Sequence, residues 1–359
     1  MKKRILYIIN FIRNGGPSRV VLNIINNINK DNEISLLTIF NKNNPEIVEE
    51  LKKKGINVIT LDLKKTPKSL TEIMKETPKI IGKINPDIIH SHGVLSDLLN
   101  LKFNKDGKKV TTVHCNIFED YSFTYGRIKG ILYAKFHLCL LNKFDKVIAC
   151  SSSVRDALKN KIKNITFVRN GVDVPIIKNN REELRKKFEI PQDAKVYIYV
   201  GRLSKRKNIL TLLENFKNYN KDSYLLVFGR GELEEECKKY NSEKIKILGF
   251  KENVLEYFPI ADIYVSASKS EGLSIAIIEA LDKGLHMFLS DIPSHKEVLS
   301  IDKNIYLGEI FDENNFGEKM KLIEQKYNDE NKKNIVEFKN KYLSSEAMAK
   351  KYLLKYEEE

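Results

Sequence analysis

Short apolar runs alternate with amphipathic stretches along nearly the whole of this 359-residue chain. In the first half, strands are expected over residues 4–9, 34–40, 57–61, 87–90, 110–113, 146–149 and 166–168. Helices are expected over 17–29, 45–54, 69–83, 127–143 and 154–163. The second half repeats the pattern, with strands over 196–200, 224–228, 245–248, 262–267, 287–289 and 305–307 and helices over 181–188, 209–216, 275–283 and 345–356. Runs this short, rich in β-branched and aromatic residues, suit buried strands. Parallel neighbours need a long crossover, which a helix supplies. The alternation therefore predicts an α/β protein built on doubly wound parallel sheets. The length is enough for two domains, each burying its own core. Ligands of such sheets sit beyond the carboxyl ends of the strands, so the residues just past each strand carry the functional argument.

Two strand ends in the second half stand out. The run 262–267 leads into Ser270-Glu271-Gly272-Leu273-Ser274-Ile275-Ala276-Ile277-Ile278-Glu279-Ala280. Glycine gives a tight loop, and the start of the helix leaves backbone N–H groups that favour an anion. Glu271 falls in the loop and Glu279 about one turn into the helix. One carboxylate can face a reacting group while the other accepts hydrogen bonds from hydroxyls further along the ligand. A phosphate on N–H groups beside a diol on a carboxylate describes a nucleotide. A solvated loop glutamate and an ordinary helix glutamate are the plain alternative at this point. The run 196–200 ends in Gly201-Arg202-Leu203-Ser204-Lys205-Arg206-Lys207-Asn208. Gly201 lets the backbone approach a ligand. Arg202 offers a planar fork to phosphate oxygens, and Lys207 a point charge at the mouth of the next helix.

Together the two stretches resemble the retaining glycosyltransferases of family 4, through Gly201, Arg202, Lys207, Glu271 and Glu279 at the family's spacing. The resemblance implies the GT-B fold: two Rossmann-like doubly wound domains facing a cleft, with a C-terminal helix crossing back to the first domain. The acceptor domain is then 1–175, joined by the helix 345–359, and the donor domain 176–344. The implied reaction moves a hexose-type sugar from a nucleotide diphosphate, UDP by default, to an acceptor hydroxyl with retention. Arg202 and Lys207 are expected to neutralise the diphosphate, helped by N–H groups around Gly272, Leu273 and Ser274. Glu279 is expected to hold ribose, while Glu271 and His114 position the donor sugar. Gly229, in Gly229-Arg230-Gly231-Glu232, and Phe250, beside the nucleobase, complete the expected donor site. No Asp-x-Asp sequence occurs in the chain. The expectation is therefore no essential metal, and no cofactor beyond the nucleotide sugar as co-substrate.

The first half is quieter. Its first strand ends in Asn14-Gly15-Gly16-Pro17-Ser18-Arg19, where Pro17 is well placed as an early helical residue. This is not the GxGxxG fingerprint, so an oxidoreductase finds no support. Gly15 and Gly16 instead resemble the family's N-terminal loop, which lies against donor phosphate and acceptor. His90 and His92 end one strand and His114 another. His114 matches the family's active-site histidine, and His90 and His92 are read as structural. His137, His286 and His295 carry no functional signal, but His286 stands where the family usually has proline, which is expected to alter the start of the following strand. Residues 116–126 are read as irregular. The helix 127–143 mixes apolar residues with Arg127, Lys129, Lys135 and Lys143. It reads first as a sheet-covering helix with a solvated basic edge, and second as a helix lying on a membrane surface. Arg169-Asn170-Gly171-Val172-Asp173 resembles the family's passage into the second domain.

Charge is uneven. Residues 1–175 carry 30 Lys and Arg against 16 Asp and Glu, whereas residues 176–359 carry 32 of each. A basic half can meet an anionic membrane, an anionic substrate or nucleic acid. Cys115, Cys139, Cys150 and Cys237 form no CxxC pair, which fits a reduced, cytoplasmic chain. The apolar run after Met1-Lys2-Lys3-Arg4 is broken at Asn10 and Arg13, too soon for a signal peptide. The expected partners are a nucleotide-sugar donor, a glycan or lipid-linked glycan acceptor of envelope or capsular polysaccharide synthesis, and an anionic membrane met peripherally at its inner face. No nucleic acid is expected. A nucleotide-sugar epimerase or hydrolase of the same architecture is the enzymatic alternative, and a nucleic-acid-binding protein using the basic half is the alternative of another class.

Overall fold

The computed structural model describes residues 2–13, 15–63, 67–219 and 222–358. Asn14 of the glycine loop and Glu359 of the C-terminal helix lie outside the described residues. The chain divides into two compact units, Met1–Val172 with Ser345–Glu359, and Asp173–Ser344.

The first unit is a parallel sheet of β1 (Arg4–Ile9), β2 (Glu33–Phe40), β3 (Asn57–Leu63), β4 (Ile88–Ser91), β5 (Lys108–Val113), β6 (Lys146–Ala149) and β7 (Ile165–Phe167), in the order β3-β2-β1-β4-β5-β6-β7. Ile5, Leu6, Tyr7 and Ile8 are all sealed from solvent, as a central strand covered on both faces must be. The covering helices present apolar stripes; Gly16–Ile28 buries Val20, Val21, Ile24, Ile25 and Ile28. Asn44 caps Pro45–Lys53 by accepting from the Glu46 and Ile47 N–H groups. The helix Ser345–Glu357 completes this unit, burying Met348, Ala349, Tyr352 and Tyr356. Each such aromatic side chain contributes about 1.5–3 kcal/mol by leaving water.

The second unit is a parallel sheet of β8 (Val196–Val200), β9 (Tyr224–Phe228), β10 (Ile245–Gly249), β11 (Ile263–Ser266), β12 (His286–Ser290) and β13 (Gly308–Phe311), in the order β10-β9-β8-β11-β12-β13. Its core includes Tyr197, Phe216, Phe288, Phe311 and Phe316, with edge-to-face pairs such as Tyr197–Phe216 at 5.4 Å between centroids. The helix Arg181–Lys187 is pinned by Arg185, fully buried, whose Nη2 donates to Asp262 Oδ2 at 2.9 Å. Asp262 also accepts from the Val196 N–H and the Tyr327 hydroxyl, so the buried charges are multiply hydrogen-bonded.

The structure departs from the sequence reading at several elements, among them the helices Pro293–Ser300, Phe316–Lys326 and Asn331–Leu343, which the sequence reading did not include. Residues 117–125 are not irregular but form the helix Ile117–Tyr125, capped by Asn116 and closed by Gly126. A further helix, Val94–Phe103, follows β4 without having been anticipated. The last strand is Gly308–Phe311 and not 305–307. A Cβ at position 308 would overlap the Met287 carbonyl oxygen, so glycine there marks close strand approach. The helix expected over 154–163 is Ser152–Leu158, capped by Ser151. The histidine at 286 leaves its strand regular: it pairs with Ile263 and donates its N–H to the Asp262 carbonyl at 3.1 Å, a bond proline could not make.

Candidate active site

Strand order reverses between β8 and β11, so the loops leaving these neighbours diverge and open a crevice at their carboxyl ends. Both motif stretches of the second unit start there. The loop after β8 rests on the loop after β9. Leu203 N–H donates to the Arg230 carbonyl at 3.1 Å, and Leu233 N–H to the Leu203 carbonyl at 3.1 Å. A Cβ on Gly229 would overlap the Gly201 carbonyl oxygen, which is why glycine is needed there. The Tyr199 hydroxyl donates to the Arg202 carbonyl at 2.9 Å, while the Arg202 side chain is exposed. Among the described residues nothing binds that guanidinium.

Lys207 is held differently. Its Nζ pairs with Glu271 Oε1, which also accepts from Ser268 Oγ at 2.8 Å. Arg206 Nη1 lies 3.6 Å from Glu271 Oε2 and donates to the Ser270 carbonyl at 3.1 Å. The Glu271 side chain is 7% exposed. Burial pushes its pKa up, but Lys207 and Arg206 outweigh burial and hold it below the ordinary value, so the carboxylate is charged at neutral pH. Behind it, Ser290 Oγ donates to the Ser268 carbonyl at 2.7 Å, and His295 Nδ1 lies 3.0 Å from the Ser290 carbonyl. Burial pushes His295 down to about 4.

Glu279 sits buried in the helix Ile275–Asp282. Burial, and then the charges of Glu271 and Glu279, raise the pKa of Tyr264, which therefore stands within the field of both carboxylates. Ser274, at the helix start, makes no side-chain cap and instead meets the Tyr264 hydroxyl. The first N–H groups of the helix thus lack a side-chain cap. Phe250 follows β10, 55% exposed, with the Arg230 guanidinium 4.5 Å over its ring. Gly201, Arg202, Lys207, Gly229, Phe250, Glu271, Gly272, Leu273, Ser274 and Glu279 therefore all lie at the carboxyl end of one sheet. Sequence reasoning missed Arg206, Ser268, Ser290 and His295. Arg206 was within a quoted motif; Ser290 ends β12 and His295 lies on the helix after it, Pro293–Ser300, and neither left a local signal.

In the first unit Gly15 and Gly16 follow β1, with φ of +155° and +29°. His114 follows β5, and its Nε2 lies 2.9 Å from His92 Nδ1. His90 bonds Tyr356 OH through Nδ1 at 2.7 Å and Thr112 Oγ1 through Nε2 at 2.8 Å. Tyr7 OH joins Tyr356 OH at 2.7 Å, and Tyr352 OH joins Thr112 Oγ1 at 3.1 Å. Burial lowers the pKa of His90 to about 3, of His114 to about 4, and of His92 well below 6.5. A second network was equally hidden in the sequence. His137 Nε2 lies 2.8 Å from Asp97 Oδ2, and Tyr121 OH 2.7 Å from His137 Nδ1. Ser91 and Thr111 hydroxyls donate to Asp97 Oδ1, each at 2.7 Å.

A family model described as Glycosyltransferase Family 4 matches residues 14–175, and one described as Glycosyl transferases group 1 matches residues 180–341. The chain belongs to the family 4 glycosyltransferases. This glycosyltransferase is 25% identical over 313 residues, 82% of either chain, to the O-antigen biosynthesis glycosyltransferase WclY of Escherichia coli. It is 26% identical, over 71% of its length and 70% of the relative's, to the E. coli UDP-Gal:alpha-D-GlcNAc-diphosphoundecaprenol alpha-1,3-galactosyltransferase. Its fold matches that of Anabaena HepE, solved in complex with UDP-glucose, with a TM-score of 0.78 at 15% identity over 99% of each chain. The enzyme thus has the two doubly wound α/β units of GT-B glycosyltransferases. Among the described residues no helix is long and apolar enough to cross a membrane.

Proposed function

We propose that this glycosyltransferase moves a hexose from a UDP-sugar to a hydroxyl of a lipid-linked glycan, with retention, in the assembly of an envelope polysaccharide. The observation that carries the reading is the reversal of strand order between β8 and β11, whose following loops and helix bring two cations and two carboxylates to one sheet end. Arg202, exposed and without a protein partner among the described residues, is free to take diphosphate oxygens. Lys207, held by Glu271, is a pre-placed second cation. Cations set in advance where charge develops on a leaving diphosphate lower the barrier without reorganisation. They also supply the charge a metal would otherwise bring, so activity is expected to survive chelation. Glu279 is assigned to ribose. Glu271 and, by its match to the family, His114 are assigned to the transferred sugar.

Retention by double displacement needs a free carboxylate behind the anomeric carbon. Glu271 has its oxygens engaged by Lys207, Ser268 and Arg206, which suits it to positioning and disfavours it as a nucleophile. Same-face attack through an ion-pair-like transition state is the consistent alternative.

The acceptor is inferred from the named acceptor of the E. coli galactosyltransferase and from the first unit's surface. The helix Arg127–Leu141 does cover the sheet, burying Gly130, Ala134, His137, Leu140 and Leu141. Its other face exposes Ile128 at 78%, Leu132 at 63% and Phe136 at 47%, a stripe at one-turn intervals. Tyr125 and Tyr133 are exposed beside it, and Arg127, Lys129, Lys135 and Lys143 are exposed around it. An apolar stripe with a basic rim fits an anionic lipid surface. Incubation with a panel of nucleotide sugars, with and without EDTA, tests the core of the reading. UDP release from one donor in the presence of a polyprenyl-diphosphate glycan, unaffected by EDTA, is expected. Loss on chelation with recovery by magnesium or manganese would remove the two-cation mechanism.

A further inference from the structure

The bond between His92 and His114 has a direction, and its surroundings decide it. Both rings are neutral at pH 7, because burial holds them far below their ordinary pKa. Two neutral imidazoles sharing one hydrogen bond need one donor and one acceptor. If His114 Nε2–H donated to His92 Nδ1, the proton of His92 would sit on its Nε2. That atom is buried and has no partner among the described residues. An orphaned buried N–H is among the rarest and costliest arrangements in folded proteins. If His92 Nδ1–H donates instead, only a lone pair is stranded at Nε2, which is the better tolerated defect. His114 then accepts at Nε2 and carries its own proton on Nδ1, the nitrogen no described residue engages.

Packing holds the His92 ring in this orientation. His90 lies against it at 4.4 Å between centroids and Tyr7 stacks at 6.2 Å. His90 is itself fixed at both nitrogens, by Tyr356 and Thr112. We propose that His92 is a positioning residue that locks His114 in its Nδ1–H tautomer, so that His114 meets the transferred sugar as a hydrogen-bond donor and not as a base. The proposal rests on the assignment of His114 to the sugar, but the tautomer itself does not.

The test has two arms. Long-range 1H–15N correlation spectra of 15N-histidine-labelled enzyme at pH 7.5 distinguish protonated from bare ring nitrogens; the His114 signals are assigned by their loss in His114→Asn. A protonated Nδ1 and bare Nε2 at His114 are expected, and the reverse pattern overturns the proposal. The second arm compares His92→Phe, which keeps a ring without the bond, with His92→Asn, whose amide can replace the Nδ1–H donor. His92→Phe is expected to lower kcat by about tenfold or more, leaving UDP affinity unchanged and mixing the His114 tautomers. His92→Asn restores most of both. A folded His92→Phe enzyme with normal kcat overturns the positioning role. If no nucleotide sugar is turned over even by the unaltered enzyme, the functional reading fails, and the spectra still decide the tautomer.

Discussion

The two units repeat one doubly wound plan, yet they furnish their carboxyl ends in opposite ways. The second unit concentrates charge: Arg202, Arg206, Lys207 and Glu271 lie within two loops leaving adjacent strands. The first unit gathers neutral rings and hydroxyls: His90, His92, His114, Tyr7, Thr112, Tyr352 and Tyr356. A charged site has the chemistry to meet a diphosphate and announces itself in local sequence. A neutral network is assembled from residues up to 349 positions apart, and only the fold shows it.

The largest effect should come from the charged side. Lys207→Ala and Arg202→Ala are each expected to lower turnover by about a hundredfold or more. Their stabilities should differ, because only Lys207 neutralises a buried carboxylate. Lys207→Ala is expected to cost about 3–5 kcal/mol of unfolding free energy, and Arg202→Ala within about 0.5. Steady-state rates beside denaturant titrations read both, and near-normal turnover in both variants would refute the diphosphate assignment.

Acid probes the neutral side. The imidazoles of His90 and His92 are held below 6.5 when folded, so the unfolded chain binds protons first as pH falls. Stability is then full above about pH 6.5 and declines continuously toward the folded pKa, near 3 for His90. At pH 5 the loss from His90 is about 2 kcal/mol. Thermal unfolding at pH 7 and 5 should show that loss shrinking in His90→Gln; an unchanged difference would mean the ring is not buried neutral.

The two glutamates separate next. Glu279→Gln should weaken UDP binding by about 1.5–3 kcal/mol, the worth of a charged hydrogen bond. Glu271→Gln should leave UDP binding unchanged or tighter, since Lys207 loses its competitor, while turnover of the intact donor falls. Calorimetry with UDP, set against rates, checks this; the opposite outcome reverses the roles. The smallest effect on stability belongs to the exposed stripe. Replacing Ile128, Leu132 and Phe136 together by Ser should change stability by less than about 0.5 kcal/mol per site. It should abolish co-flotation with anionic vesicles and spare transfer to a soluble acceptor. Retained flotation would exclude this face from membrane contact.

Most of the fold was legible because buried parallel strands declare themselves as apolar runs. The failures have physical causes. The last strand is expected over 305–307, and Gly308, just past it, instead opens the strand and serves close strand approach. The helix Ile117–Tyr125 hid because aromatic residues weaken helix propensity, although Asn116 and Gly126 were usable boundary signals. The placement of Arg202, Lys207 and Glu271 just past two strands was legible because each follows directly on an apolar run. The pairing of Lys207 with Glu271 was not, since nothing local says that two strand ends are neighbours.

The placement of the helix Ser345–Glu357 bears on how the protein is made. The second unit is one uninterrupted stretch, Asp173–Ser344, whereas the first is closed only by the last residues of the chain. Translation proceeds at about 5–20 residues per second, and domains fold as they emerge. The half synthesised first therefore waits, through the whole of the second unit, for Tyr352 and Tyr356 to reach His90 and Thr112. On the ribosome the order of completion is therefore inverted: the second unit can close before the first.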